Sequence, residues 1–239
     1  MLIKFSNKLF YTKQRYMYLE PAVGYVKGKN FSVMIDSGNG PEQVESFLKD
    51  LKENNLPHPS YVILTHHHWD HSFGSAYLNI PVISTEKAKN ALIEFAHLKW
   101  DNESIEQRVE DGVEIQYSAD VLKKVYRNHE IKIKIPDISK SGDITLNLGE
   151  EKVICFCNDN SHSDDAFIVY VVDEKVLFLG DSHAKNYYTK PMSYDKTKLR
   201  DYIDTIKKID FEYAIPGHGN IFTRNDLLAY LEKEYTKMR

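Results

Sequence analysis

Four histidines and one aspartate fall within six positions at His66-His67-His68-Trp69-Asp70-His71. They follow Thr65 and the apolar run Tyr61-Val62-Ile63-Leu64. A short, β-branched apolar run of this kind reads as a buried strand. Side chains just past a strand end in an α/β framework face a cleft rather than the core. Imidazoles and a carboxylate crowded there would be desolvated at a cost unless a cation bound them. The chemistry expected of the stretch is metal ligation.

The same arrangement recurs three times. Val153-Ile154-Cys155-Phe156-Cys157 leads to His162, Val176-Leu177-Phe178-Leu179-Gly180 to Asp181, and Tyr213-Ala214-Ile215-Pro216-Gly217 to His218. Each donor sits beyond an apolar run, and glycines at 180, 217 and 219 allow close backbone approach. His66, His68, Asp70, His71, His162, Asp181 and His218 make seven donors. One catalytic zinc takes only three protein ligands plus water. Seven donors suit two metals sharing a carboxylate, and Asp181 is the natural bridge. His67 and Trp69 alternate with the ligands and should point away into packing.

Elements must bring these donors together. The first 36 residues read as a β-meander, with apolar runs at 16–19, 22–26 and 31–36 and a turn at Gly28-Lys29-Asn30. Pro41 opens an amphipathic helix to about residue 53, with Val44, Phe47, Leu48 and Leu51 on one face. After the strand at 61–64, a helix begins near His71, and a short strand covers 81–83. Residues 85–128 read as a helical insertion, with faces Ala88-Ala91-Leu92-Phe95 and Val121-Leu122-Val125, an irregular acidic link at 101–104 and Ser118 as an N-cap. Strands are expected at 131–135, 144–148, 153–156, 166–172, 176–179 and 213–215. Leu199, Tyr202, Ile203 and Ile206 define a further helix, and Thr223-x-x-Asp226 caps a last one. This order fits two packed sheets with helices outside, in one domain spanning 1–239.

The 239 residues carry a net charge of −4, 42% hydrophobic residues and 28% charged ones, with a pI near 6.2. That balance is ordinary for a globular protein and argues against one built to grip nucleic acid. No stretch approaches the ~20 apolar residues that span a bilayer, and the first residues lack a secretory leader's apolar core. Cys155 and Cys157 stand two apart on one strand face, poorly placed to pair. Small buried thiols in a reducing compartment are expected, which favours the cytoplasm.

The motif set resembles the metallo-β-lactamase-fold hydrolase superfamily, whose His-x-His-x-Asp-His followed by distant His, Asp and His is matched at 66–71, 162, 181 and 218. An early aspartate before glycine is matched by Asp36-Ser37-Gly38. The resemblance implies a four-layer αβ/βα sandwich, an α+β fold. It also implies one metal on His66, His68 and His162 and another on Asp70, His71 and His218, bridged by Asp181. The segment from His162-Ser163-Asp164-Asp165 to Gly180 is similar to subclass B1 lactamases, whereas Thr65–His71 is similar to glyoxalase II and lactonases.

Two divalent ions, Zn²⁺ by the nitrogen-rich, thiol-free donor set with Fe or Mn as alternatives, would give a bridging hydroxide at neutral pH. Asp70, the catalytic candidate, would orient that nucleophile and carry its proton. The expected function is hydrolysis of an acyl bond (lactam, lactone, ester or thioester) in a small molecule. The alternatives are a phosphodiesterase-type hydrolase on the same donors and a non-catalytic metal sensor. No nucleic-acid or membrane partner is expected. His183, Tyr187 and Tyr188 lie close after the bridge, where a hydroxyl could serve an oxyanion or simply pack. Asp36 and Asp165 are expected to support the ligands by hydrogen bonds. His58, His97 and His129 read as surface or core residues.

Overall fold

The computed structural model describes residues 1–238. Its chain opens with four antiparallel strands, β1 (Leu2–Lys4), β2 (Leu9–Thr12), β3 (Gly24–Val26) and β4 (Val33–Ile35). Three parallel strands continue the sheet, β5 (Tyr61–Ile63), β6 (Val82–Thr85) and β7 (Ile138–Lys140). Parallel neighbours require crossover connections. These are α1 (Pro41–Glu53), then α2 (Trp69–Ser72) with a 3₁₀ turn at Phe73–Tyr77, then the helices α3 (Glu86–His97), α4 (Asn102–Glu110) and α5 (Gln116–Val125).

The second sheet is antiparallel through β8 (Ile144–Asn147), β9 (Lys152–Asn158), β10 (Ala166–Val171) and β11 (Val176–Gly180). After α6 (Lys196–Lys207), β12 (Tyr213–Pro216) returns parallel to β11, β13 (Phe222–Thr223) closes the edge, and α7 (Arg224–Lys237) ends the chain. Strand orders are 1-2-3-4-5-6-7 and 13-12-11-10-9-8.

Three apolar clusters hold the layers. The first packs Val44, Phe47 and Leu51 of α1, together with the insertion, on the outer face of the first sheet. The second joins the inner faces of both sheets, with Ile35 and Ile63 against Phe167, Val169 and Phe178. The third seats Leu199, Tyr202, Ile203 and Ile206 of α6 on the second sheet. Every residue of β10 and β11 is buried, as expected of strands covered on both faces. Each such buried aliphatic or aromatic side chain contributes ~1.5–3 kcal/mol of transfer free energy. The architecture is the four-layer αβ/βα sandwich, and no described helix is long and apolar enough to cross a membrane.

The local expectations need four corrections. Residues 16–18 form a 3₁₀ turn ending in left-handed Leu19 (φ +46°), while the outermost strands lie earlier, at 2–4 and 9–12. Residues 131–135 form no strand. Ile131, Ile133 and Ile135 pack on the outer cluster without a ladder, and pairing starts at Ile138 after Pro136. The acidic stretch at 101–104 begins helix α4, because Asp101 accepts the Ser104 amide (2.8 Å) as its N-cap. Ser118 is not a cap. It lies inside α5, and its hydroxyl accepts the Trp69 indole N–H at 2.9 Å.

Candidate metal centre

β4, β5, β11 and β12 all end at one edge of the two sheets, and the loop from β9 to β10 reaches the same edge. Asp36 follows β4, Thr65–His71 follow β5, His162 lies in the β9–β10 loop, Asp181 follows β11 and His218 follows β12. A backbone bond from Phe167 N–H to the Thr65 carbonyl (2.7 Å) ties the sheets at this edge. All seven sequence-identified donors converge here.

Their atoms fall into connected triads. His66, His68 and His162 form one, and Asp70, His71 and His218 another, while His66, His71 and Asp181 form a group between them; in each, the donor atoms lie within 4.8 Å of one another. His68 Nδ1 is 3.0 Å from both His66 Nε2 and His162 Nε2. His218 Nε2 is 2.8 Å from Asp70 Oδ2. The two oxygens of Asp181 divide between the triads: Oδ1 is 3.7 Å from His71 Nε2 and Oδ2 is 3.7 Å from His162 Nε2. Nitrogens around one tetrahedral zinc, at Zn–N ≈ 2.0–2.1 Å, stand about 3.3 Å apart, so the first triad has the spacing of a ligand set.

The surroundings fix which ring nitrogen faces inward. His71 Nδ1 donates to Asp36 Oδ2 (2.7 Å), which turns Nε2 to the site side. The Thr65 hydroxyl donates to the same oxygen (2.8 Å) and so accepts from His66 Nδ1 (3.1 Å), leaving Nε2 free. His162 Nδ1 donates to the Lys185 carbonyl at 3.1 Å. Asp36 Oδ1 takes the Thr65 amide at 2.7 Å. One carboxylate thus orients a histidine of each outer triad, in the manner of carboxylate–histidine supports at metal sites. Asp36 adopts φ +58°, a conformation open to Asp and Asn more than to most residues. Thr65 is the member whose role its position alone did not disclose.

Burial holds His66 and His68 well below the ordinary imidazole pKa, with neighbouring imidazoles adding to the effect, and it lowers His162 as well. These rings are neutral and can donate lone pairs. Burial works against ionised Asp181, yet His218, His71 and His162 hold it well below the usual carboxylate range. At His71 burial is outweighed by Asp36, Asp70 and Asp181, and at His218 by Asp181 and Asp70; both are raised. His71 Nε2 and Asp181 Oδ1 are buried without a hydrogen-bond partner. Orphaned donor atoms facing one another in a buried cluster fit a divalent cation.

Two glycines permit this closeness. A Cβ on Gly217 would stand 2.4 Å from His71 Cε1 and 2.8 Å from Asp181 Oδ1. Gly180, at φ +50°, would meet Thr65 Oγ1 at 2.3 Å.

The remaining candidates separate. His67 turns to Asp165 Oδ2 (2.9 Å) and packs on Phe95, and Trp69 points into the insertion. Asp165 also accepts the His67 amide (2.9 Å) and the Ser163 hydroxyl. Tyr187 packs edge-on against His162 (5.2 Å) and Tyr188 against His68 (6.0 Å). His183 is turned to Phe222 (5.8 Å). His58 bonds the Pro59 carbonyl and His129 pairs with Glu42, both away from the donors, and His97 ends α3 exposed. Cys155 and Cys157 are both free thiols.

Comparisons with known proteins identify the family and the fold. The model of the metallo-β-lactamase superfamily matches residues 20–218. An acyl-coenzyme A thioesterase of Homo sapiens, MBLAC2, is 24% identical over 213 residues, covering 82% of this chain and 72% of that protein. A metallo-β-lactamase from Pontibacter korlensis superposes with a TM-score of 0.62 at 20% identity, over 97% of this chain and 98% of that one. The stereoselective inverting sec-alkylsulfatase Pisa1 from Pseudomonas sp. gives a TM-score of 0.73 at 17% identity, over 98% of this chain but 40% of that one.

Proposed function

This chain belongs to the metallo-β-lactamase superfamily and is a metal-dependent hydrolase, and we propose that it cleaves an acyl bond of a small molecule using two divalent ions. The observation that carries the two-ion reading is the division of the Asp181 oxygens between the His162 side and the His71 side. His66, His68 and His162 would hold one ion, and Asp70, His71 and His218 the other. Nitrogen-rich ligation without thiolate favours Zn²⁺ over Fe or Mn.

When bound, such a pair supplies Lewis-acid polarisation and a water of lowered pKa. The protein's own groups do the rest. Asp70, 9% exposed at the edge of the cluster, orients the attacking water and carries its proton towards the leaving group. Asp36 and Thr65 hold His71 and His66 in the tautomers that donate inward. Among acyl bonds we favour a thioester or ester, because the sequence relative is a thioesterase. The two free cysteines suit a reducing compartment, and we place the enzyme in the cytoplasm. Donors from both sheets make one centre, so we take the chain to act as a single unit.

The test is a turnover profile of metal-loaded protein against an acyl thioester, a lactone, nitrocefin and bis-p-nitrophenyl phosphate. Turnover confined to the acyl compounds is expected; turnover confined to the phosphodiester would overturn the reading. Elemental analysis should give two ions per chain, falling to one or fewer in Asp181→Ala.

A further inference from the structure

Thirteen large hydrophobic side chains are exposed among the described residues, and eight of them lie in three segments, 16–18, 113–117 and 187–192. The last segment lies against the donors, and Val113 of the second lines a cavity beside His68. Tyr188 packs on His68, Tyr187 packs on His162, and Tyr16 stacks on Tyr117 at 5.9 Å. Clustered apolar exposure around a polar cleft marks a surface that meets a ligand.

Between the insertion and the β9–β10 loop a cavity of about 450 Å³ opens, within the range of small-molecule sites. His68 and His162 form its inner edge, and Phe95, Val113 and Tyr188 line one wall. The opposite wall is polar, with Ser161, Asn186 and Lys198 beside Asn160. The Asn160 side chain donates to Ser182 Oγ (3.1 Å) and accepts the amides of His162 and Ser163 (3.0 Å each). Lys198 is paired with Asp159 at 2.6 Å, and Asp164 with Lys87 at 3.0 Å. A chain lying along the first wall meets Phe95, Val113 and Tyr188. A hydrocarbon tail laid along that wall would remove its apolar surface from water.

We infer that this cavity is an acyl-tail subsite, selecting medium-chain acyl esters or thioesters over acetyl ones. The inference rests on the acyl-hydrolase reading above. A volume of about 450 Å³ accommodates a tail of about eight carbons. Full burial of a methylene is worth about fourfold in affinity, and a cavity open at one side should return about threefold.

The experiment compares acetyl, butyryl, hexanoyl and octanoyl thioesters of one leaving group. From butyryl to octanoyl, four methylenes should raise kcat/KM by about 80-fold. Val113→Asp, at an exposed position, should cut the octanoyl-to-butyryl ratio by about tenfold, while Ile138→Lys on the edge strand β7 leaves the ratio unchanged. A flat series, or a ratio that survives Val113→Asp, would overturn the subsite. If no acyl compound is hydrolysed, the functional reading fails instead, and calorimetry of the metal-loaded protein decides the subsite alone. Octanohydroxamate binding at least tenfold tighter than acetohydroxamate, with the difference lost in Val113→Asp, upholds it; equal binding refutes it.

Discussion

Asp36→Asn tests the support of the metal centre with the least steric change. The side chain keeps its volume, and asparagine tolerates φ +58°. The amide oxygen can still accept the Thr65 amide, replacing Asp36 Oδ1. The amide nitrogen, however, now stands where Oδ2 accepted from both Thr65 Oγ1 and His71 Nδ1. A donor cannot accept either. If it donates to His71 Nδ1, the proton of that ring moves to Nε2 and points at the donors. If it donates to Thr65, the threonine hydroxyl turns to His66 and biases that ring the same way. Loss of a support of this kind costs ~10–100-fold in metal affinity, or about 1.4–2.7 kcal/mol. Competition against a chromophoric chelator at neutral pH measures it, with thermal unfolding of the metal-free variant confirming the fold. An affinity within twofold of wild type would refute the tautomer argument, since Asp36 touches no metal position itself.

Asp70→Asn should keep the fold and part of the metal while losing at least 100-fold in kcat; wild-type turnover would remove Asp70 from the reaction. Gly217→Ala should lose metal stoichiometry outright, because the new Cβ would lie 2.4 Å from His71 Cε1 and 2.8 Å from Asp181 Oδ1 and displace both donors; metal analysis of the folded variant checks it. Glu232, paired with Arg200 and Lys207 across α6 and α7, is pulled down to about 2 by those cations. Its folded pKa lies below the unfolded value, so its contribution is present above about pH 4.5 and is lost as pH falls towards 2. The pair is partly solvated, so Glu232→Gln should cost only ~0.5–1 kcal/mol at neutral pH, and much less at pH 2, in denaturant titrations.

The donors were legible because metal chemistry restricts residue type and strand ends restrict position: each of the seven follows an apolar run. The second layer was legible only in part. Asp36 could be singled out, but its bonds to Thr65 and His71 span 29 and 35 residues and follow from β4 lying beside β5. Helix α4 escaped because it buries one side chain, Ile105, so its apolar period is too short to see. The alternation at 131–135 is that of a strand, yet those isoleucines serve side-chain packing on helices while their backbone has no neighbour to pair with. Strands β1 and β2 are short, and polar residues flank each, which hid them from hydrophobic periodicity.

The backbone bond from Phe167 to Thr65 marks where the two sheets meet beside the donors. Four donors come from the first sheet's side and three from the second's. Occupied, the centre would act as a cross-link in a chain that has no disulfide among its two cysteines. The ion shared by His68 and His162 would close a loop of 94 residues, and closure of that length would remove unfolded-state entropy worth about 4–5 kcal/mol, as a disulfide does. Metal removal is then a mechanical event as well as a chemical one. It frees the seam between the sheets, and amide exchange should quicken first along β5 and β10, the strands that seam joins.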